Sequence, residues 1–327
     1  MKSAGLLSAV SLALSMAFTA QAAHADSYPD KQVRLVVAAS AGGPTDVVAR
    51  LLAQKLTESL GQPFVVENKP GAAQTLGTRH VAQASPDGYT LLLGNSSALV
   101  LQPFTMENLP YDVKTDFTIV SHVGLTPLVM YTHEGMPATS LDDMRKLVGA
   151  KPGALSYGSW GPGSGGHLLT EYFSRQADLQ MIHVPYASIA PSINALVGKQ
   201  LDFAVAEIGT GKPFLQSGRL KALAVTGQAR SSALPDVPTF GEQGIKGMES
   251  FSSWWAILAP KGTPQPVVDK LELQIEEIAK SPEFSNQLRT LGVDATGWRS
   301  AQTTQFVDGE LTRWKGIIEA LPNVSFK

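Results

Sequence analysis

Cysteine is absent from the 327 residues, so disulfides, thiolate metal sites and thiol nucleophiles are excluded together. An excess of either charge is missing too, since 26 Lys and Arg stand against 28 Asp and Glu for a formal net charge of −2. Without a basic surplus to hold a polyanion, nucleic acid is not expected as a partner. The six histidines show no H-x-x-x-H or similar ligand spacing, so neither a metal site nor a metal cofactor is expected. Long apolar runs are limited to Leu6 to Phe18. That is shorter than the ~20 residues a membrane span needs, so the chain is not expected to be membrane-embedded.

The apolar run follows the basic start Met1-Lys2 and precedes Ala23-His24-Ala25, which places small residues at the two recognition positions of an export signal. Residues 1–25 read as a signal peptide cleaved after Ala25, and no cysteine is present to carry a lipid anchor. What remains is large for one core and comfortable for two lobes. With 43% hydrophobic residues it can bury a substantial interior, and 30 Gly and 21 Pro suit many tight turns.

The mature segment alternates strand and helix signals. A β-branched apolar run over Val33 to Ala38 leads into Gly42-Gly43-Pro44, then into Val48, Leu51, Leu52, Leu56 and Leu60 at helical spacing, closed by Gly61 at a C-cap position. Strands Phe64 to Glu67 and Tyr89 to Leu93 flank a helix over Thr75 to Ala84. The same grammar restarts after Pro127 with strands Leu128 to Thr132, Leu155 to Tyr157, Leu201 to Val205 and Lys221 to Val225, between helices from Ser140, His167 and Ser188. After the Pro-rich connector Leu234 to Pro238 come strand Ser252 to Ala259 and helices from Pro264, Pro282 and Ser300. Such alternation predicts an α/β protein with largely parallel sheets flanked by helices. Chain order predicts two lobes joined near Ser121 to Pro127 and near Ser252 to Ala259. The first comprises 26–124 plus 253–327 and the second 125–252, with a hinge and a cleft between them.

Two Gly-rich loops occupy equivalent places, each after a strand and before a helix, where open α/β sheets bind ligands. The first is Ser40-Ala41-Gly42-Gly43-Pro44-Thr45-Asp46 and the second is Ser159-Trp160-Gly161-Pro162-Gly163-Ser164-Gly165-Gly166. Each presents backbone N–H groups at a helix N-terminus, which favours an anion. Gly161, Gly163 and Gly166 also satisfy G-x-G-x-x-G, but no Asp or Glu lies between Asp178 and Asp202 to hold a ribose. Nor is Ser164 in a nucleophile elbow, because Pro162 stands where glycine is needed. Segments 38–46, 94–102, 157–170, 183–194 and 204–211 contain no Lys or Arg. A carboxylate bound among them would be held by N–H groups, by Ser96, Ser97 and Ser164, by Asn95 and by bridging water.

Asp46, in the first turn of its helix, reads as a dipole-stabilising acid or as a ligand contact. Glu207, after strand Leu201 to Val205, is either a solvated loop acid or the partner of a ligand amine, amide or hydroxyl. Trp160, Tyr186 and the pair Trp254-Trp255 are the aromatic candidates for stacking on a ligand, and His167 is placed to cap its helix or to bind. The pair Trp254-Trp255 reads as core packing, because alternate strand residues face opposite sides.

Eight segments in order resemble the Bug-type periplasmic receptors of tripartite tricarboxylate transporters. They are Tyr28-Pro29-Asp30-Lys31, Gly42-Gly43-Pro44-Thr45-Asp46, Val66-Glu67-Asn68-Lys69-Pro70-Gly71-Ala72 and Pro86-Asp87-Gly88-Tyr89-Thr90-Leu91. The series continues with Leu109-Pro110-Tyr111-Asp112, Val184-Pro185-Tyr186, Ala233-Leu234-Pro235-Asp236-Val237-Pro238-Thr239 and Ala259-Pro260-Lys261-Gly262-Thr263-Pro264. The resemblance implies a type II-like, two-lobed periplasmic binding protein without catalysis, expected as a monomer. It would close on a dicarboxylate, acidic amino acid or aromatic acid and deliver it to separate membrane subunits. It also implies that the loop from Ser40 to Asp46 grips a carboxylate through backbone groups and two waters. Ala206-Glu207 replaces the family's frequent Asp-Asn, so a ligand with a hydrogen-bond donor or an aromatic body stands beside a plain dicarboxylate. Rival readings are a sensing module that docks on a membrane signalling protein, and an exported hydrolase.

Overall fold

The computed structural model describes residues 28–71, 74–321 and 324. The expected signal peptide lies outside the described residues. Strand β1 (Val33–Val37) is buried at Val33 and from Leu35 to Val37, as its apolar run requires, and leads through the first Gly loop into α1 (Pro44–Leu60). Pro44 suits the first helical position, where no N–H is needed. Gly61 ends the helix in the left-handed conformation, its N–H donating to the Thr57 carbonyl. Next come β2 (Phe64–Asn68), α2 (Thr75–Ala82) and β3 (Thr90–Asn95), then a π-helical turn (Ser97–Leu101) running into the short α3 (Gln102–Thr105).

A 17-residue strand, β4 (Phe117–His133), follows. The next elements are α4 (Leu141–Ala150), β5 (Ser156–Ser159), α5 (Gly165–Gln176), β6 (Ile182–Pro185), α6 (Ile189–Val197), β7 (Phe203–Glu207), α7 (Ile208–Gln216) and β8 (Leu220–Val225). The chain closes with β9 (Ser252–Pro260), α8 (Gln265–Lys280), α9 (Pro282–Thr290), β10 (Asp294–Arg299) and α10 (Ser300–Glu319).

Pairing divides the molecule at β4. Residues 117–127 of that strand pair antiparallel with β9, and β10 pairs with 121–125. From Leu128 onward β4 pairs instead with β7 and β8, again antiparallel. Each half therefore has an antiparallel centre and a parallel wing, β2-β1-β3 on one side and β6-β5-β7 on the other. This is the two-lobed mixed α/β fold.

Strand direction follows from those pairings. Strand β9 is antiparallel to both β3 and β4, so β1 and β3 run the same way as β4 and their C-terminal ends point toward the second half. Strand β7 is antiparallel to β4 and parallel to β5, so the C-terminal ends of β5 and β7 point back toward the first half. The two Gly loops leave from these opposed ends.

Sequence patterning located only the second part of β4, Leu128 to Thr132. Its first part carries the buried polar residues Ser121, His122 and Thr126, which break an apolar pattern and find hydrogen bonds across the fold, although His122 Nε2 is left without one. Ser121 Oγ donates to the Trp298 carbonyl at 2.8 Å, and Thr126 Oγ1 to the Gly292 carbonyl at 2.7 Å. Helix α7 was hidden by Gly209, Gly211 and Pro213 within nine residues.

Trp254 and Trp255 are both buried, on opposite faces of β9 and in separate apolar clusters, in line with the alternation of a strand. Trp254 Nε1 donates to Glu310 Oε2 at 3.3 Å, as does Trp314 Nε1 at 3.2 Å, while Arg313 grips the same carboxylate at 2.9 and 2.7 Å. Glu310, 6% exposed, thus ties α10 to the underside of β9. Glu310→Ala leaves two buried indole N–H groups and a guanidinium without their acceptor. We expect a loss of about 2–4 kcal/mol, read as a lower urea midpoint at unchanged slope; an unchanged midpoint would remove this anchor.

Candidate functional site

The first loop is braced from inside by Asp46. Its carboxylate accepts the Gly42 N–H at 2.9 Å, Arg50 Nε at 2.9 Å and Asn68 Nδ2 at 2.9 Å, and Asn68 Nδ2 also reaches the Ala39 carbonyl at 3.1 Å. Burial works to raise the Asp46 pKa, but the hydrogen bonds from Arg50, Gly42 and Asn68 outweigh it and hold the carboxyl below its ordinary value. Asp46 is 2% exposed, so its charge serves the turn. That turn needs Gly42, which sits at φ +81°. Ser40 and Gly42 are exposed and Gly43 half-exposed at the head of the helix. A helix starting at Pro44 leaves the N–H groups of Thr45 and Asp46 without an intrahelical acceptor.

Thr45 connects this loop to the strands beneath. Its Oγ1 accepts Trp255 Nε1 at 2.9 Å and lies 3.4 Å from Asn95 Nδ2. Asn95 pairs with Trp255 in the sheet, and its Oδ1 accepts the Ala98 N–H to start the π-helical turn that contains Ser97, with Ser96 buried beside it. Ser40, Gly42, Gly43, Thr45, Asp46 and Asn95 therefore form one connected group, with Ser96 and Ser97 adjoining it.

The second loop is braced by imidazoles. Gly163 N–H donates to His167 Nδ1 at 3.0 Å, which leaves the proton of a neutral ring on Nε2. Ser164 caps α5 by accepting the His167 N–H. His167 stacks on His183 at 4.0 Å between ring centroids, and His183 stacks on Tyr157 at 4.9 Å. Burial, with the neighbouring His183, lowers the His167 pKa to about 3, and burial lowers His183 to about 4, so both rings are neutral near pH 7. His183 Nε2 lies 2.7 Å from Ser159 Oγ, but Ser159 is fully buried and its hydroxyl accepts the Gly161 N–H at 3.2 Å. This Ser–His pair shapes the loop from beneath, with Ser159 fully buried and His183 partly exposed. Tyr186 joins the group through its N–H, which donates to the Ser159 carbonyl at 2.9 Å.

Trp160 lies across the first turn of α5. A Cβ on Gly166 would strike its ring, and one on Gly165 would approach it to 3.3 Å. Those glycines accommodate the indole, a packing reason that spacing alone did not reveal. At the rim, a Cβ on Gly163 would come within 2.8 Å of Thr105, so the second loop touches α3 of the opposite half. Thr105, His183, Ser253 and Trp255 are contributors that sequence reasoning did not place at the site. Only Trp255 carried a signal, its position in a strand leading to the cleft.

Glu207 departs from the reading as a solvated loop acid. It is the last residue of β7, 6% exposed, and sits opposite Leu128 where β4 changes partners. A run ending at Val205 placed Ala206 and Glu207 in a loop, but the β7–β4 ladder continues through both. Burial raises its pKa to about 7, against a smaller opposing effect of a hydrogen bond from Ser253. Glu207 Oε2 has no hydrogen-bond partner. Ser253 and Trp255 are alternate residues of β9 and share a face. One face of one strand thus reaches Glu207 through Ser253 and Thr45 through Trp255. Among the described residues, no group of three or more His, Asp or Glu is placed to hold a metal, and no helix is long and apolar enough to cross a membrane.

Residues 48–322 match the family model described as "Tripartite tricarboxylate transporter family receptor". Protein BugT of Bordetella pertussis is 35% identical over 314 residues, 96% of each chain. The solved structure of R. palustris Rpa4515 with adipate is similar at TM-score 0.86 and 31% identity, covering 91% of this chain and 99% of its own. MatC from Rhodopseudomonas palustris, with bound malate, gives TM-score 0.82 at 30% identity over 89% of this chain and 100% of its own.

Glu207 also sets a pH dependence. A glutamate titrating near 4.5 when unfolded and at about 7 when folded favours folding below 4.5, and that contribution is lost as pH rises through 7. Glu207→Gln has no such loss. Its unfolding midpoint should gain on the wild type by a few degrees between about pH 5 and pH 8. Thermal unfolding at both values checks this, and a constant gap would mean that the carboxyl is not desolvated.

Proposed function

This chain belongs to the tripartite tricarboxylate transporter receptor family, and we propose that it captures a small carboxylate between its lobes for delivery to a membrane transporter. The observation that carries this reading is the pair of opposed, cation-free loops. Two helix N-termini leave strand ends that point toward each other, and the segments around them hold no Lys or Arg. Backbone N–H groups in that setting attract an anion without a fixed counter-ion. Micromolar binding needs about 8 kcal/mol, within reach of a few hydrogen bonds to a charged group. Adipate and malate, held by two relatives of about the same length, are carboxylates of this size.

Closure would pivot where β4 changes partners between Pro127 and Leu128, and where β9 begins at Ser252. On this reading lobe 1 is 26–124 with 253–327, and lobe 2 is 125–252. Residues 1–25 export the chain to the periplasm, where it acts as a monomer. The buried His167 and Ser159 and the half-buried His183 hold the second loop in place, the part expected of them in a receptor.

The test is a thermal-shift screen of the purified protein against mono-, di- and tricarboxylates, acidic amino acids and aromatic acids, with their neutral amides as controls. An acid at about 100 times its Kd adds ~2.7 kcal/mol and raises the midpoint by a few degrees. Gly43→Ala is the matched variant: its φ is −80° and the new Cβ meets only the Ser40 carbonyl at 3.5 Å, so the fold is kept while the helix head is crowded. We expect a shift confined to acids and reduced in Gly43→Ala. Shifts from the amides as large as those from the acids would sink the carboxylate reading.

A further inference from the structure

We infer that the ligand carries a hydrogen-bond donor beside its carboxylate, and that Glu207 is the residue that selects it. This rests on the carboxylate-receptor reading and narrows it from small acids in general to amino or hydroxy acids. Glu207 is more than nine-tenths buried, yet one of its carboxylate oxygens has no partner in the fold. Burying an unsatisfied acid costs stability, and glutamine or a hydrophobic residue would fill the same position without a buried charge. The fold itself gives no return for that cost. Ser253 engages the carboxylate, and among the described residues no Lys or Arg forms an ion pair with it.

Position gives the unsatisfied oxygen its meaning. Glu207 ends β7 on the sheet edge from which the second loop also departs, since β5 and β7 are parallel neighbours. Through Ser253 it meets the face of β9 whose next residue on that side, Trp255, holds Thr45 at the head of the first loop. An acid whose carboxylate lies on the N–H groups of a Gly loop therefore has its remaining atoms near Glu207. An ammonium or hydroxyl there donates to Oε2, whereas a plain acid offers that oxygen no donor. Tyr131 OH is the other buried polar atom coupled to this carboxyl, and it too lacks a partner.

Matched probes separate the possibilities. Succinate, L-malate and L-aspartate differ at one carbon by hydrogen, hydroxyl or ammonium, and adipate with its 2-hydroxy and 2-amino derivatives repeats the series at greater length. Phenylacetate, mandelate and phenylglycine provide an aromatic set. Calorimetric titration of the wild type should favour a donor-bearing member over its plain parent by about tenfold or more in at least one series, the factor set by a hydrogen bond to a charged group. Glu207→Gln should bring that ratio close to one by weakening the donor-bearing acid and strengthening the plain one. Glu207→Asp keeps a carboxyl but shortens its reach, and should also lower the preference. A purely structural Glu207 predicts equal changes for all members of a series, and that result overturns the inference. So does a wild type that binds plain acids as tightly as their derivatives. If none of the nine compounds binds, the carboxylate reading fails and this inference falls with it.

Discussion

The antiparallel pairing of β4 with β9 is the constraint on which the rest of the molecule depends. Because β9 is antiparallel to β3 as well, the parallel wing of the first half must run along β4. Because β7 is antiparallel to the far end of β4, the wing of the second half must run against it. C-terminal strand ends that would share one edge of a single continuous parallel sheet are turned to face one another. The ligand-binding edge of an open α/β sheet is thereby duplicated and opposed. Strand β4 runs through both halves, and β9 begins at the same line, with Ser252 opposite Pro127.

On that frame the polar groups divide their work. Asp46, His167 and Ser159 are buried, His183 is half-buried, and all four are bonded to loop backbone or to one another, which fixes the loops. Preformed loops reduce the ordering that binding must otherwise supply. The histidines stay neutral because burial lowers their pKa values, so they add no positive charge to the cleft. On the proposed reading, attraction for an anion is left to backbone dipoles. Glu207 is the exception, a buried acid whose free oxygen is at odds with local consistency, and such conflicts concentrate where function imposes them.

Much of the fold was legible in the sequence. The run Val33–Val37, the helical spacing up to Leu60 and the Gly61 cap each follow from local rules that the tertiary structure leaves intact. Elements that depend on partners far along the chain were not legible. The first part of β4 reads as polar because Ser121, His122 and Thr126 find their hydrogen bonds 166 to 181 residues away. Both Gly loops were visible, as were the residues composing them. What holds those loops was not: the stack of His167 on His183 and the Thr45–Trp255 hydrogen bond join residues with no local relation. Glu207 was visible as an acid at a strand end, but only the ladder with β4 makes it buried.

The central claim is that an acid is held by backbone N–H groups in a cleft without cationic side chains. A crystal structure of the protein grown with the acid that stabilises it best tests this most directly. The account predicts a carboxylate within hydrogen-bond distance, directly or through water, of the N–H groups heading α1 or α5, with no Lys or Arg side chain touching it. A carboxylate paired to a lysine or arginine, or bound away from both Gly loops, would contradict it.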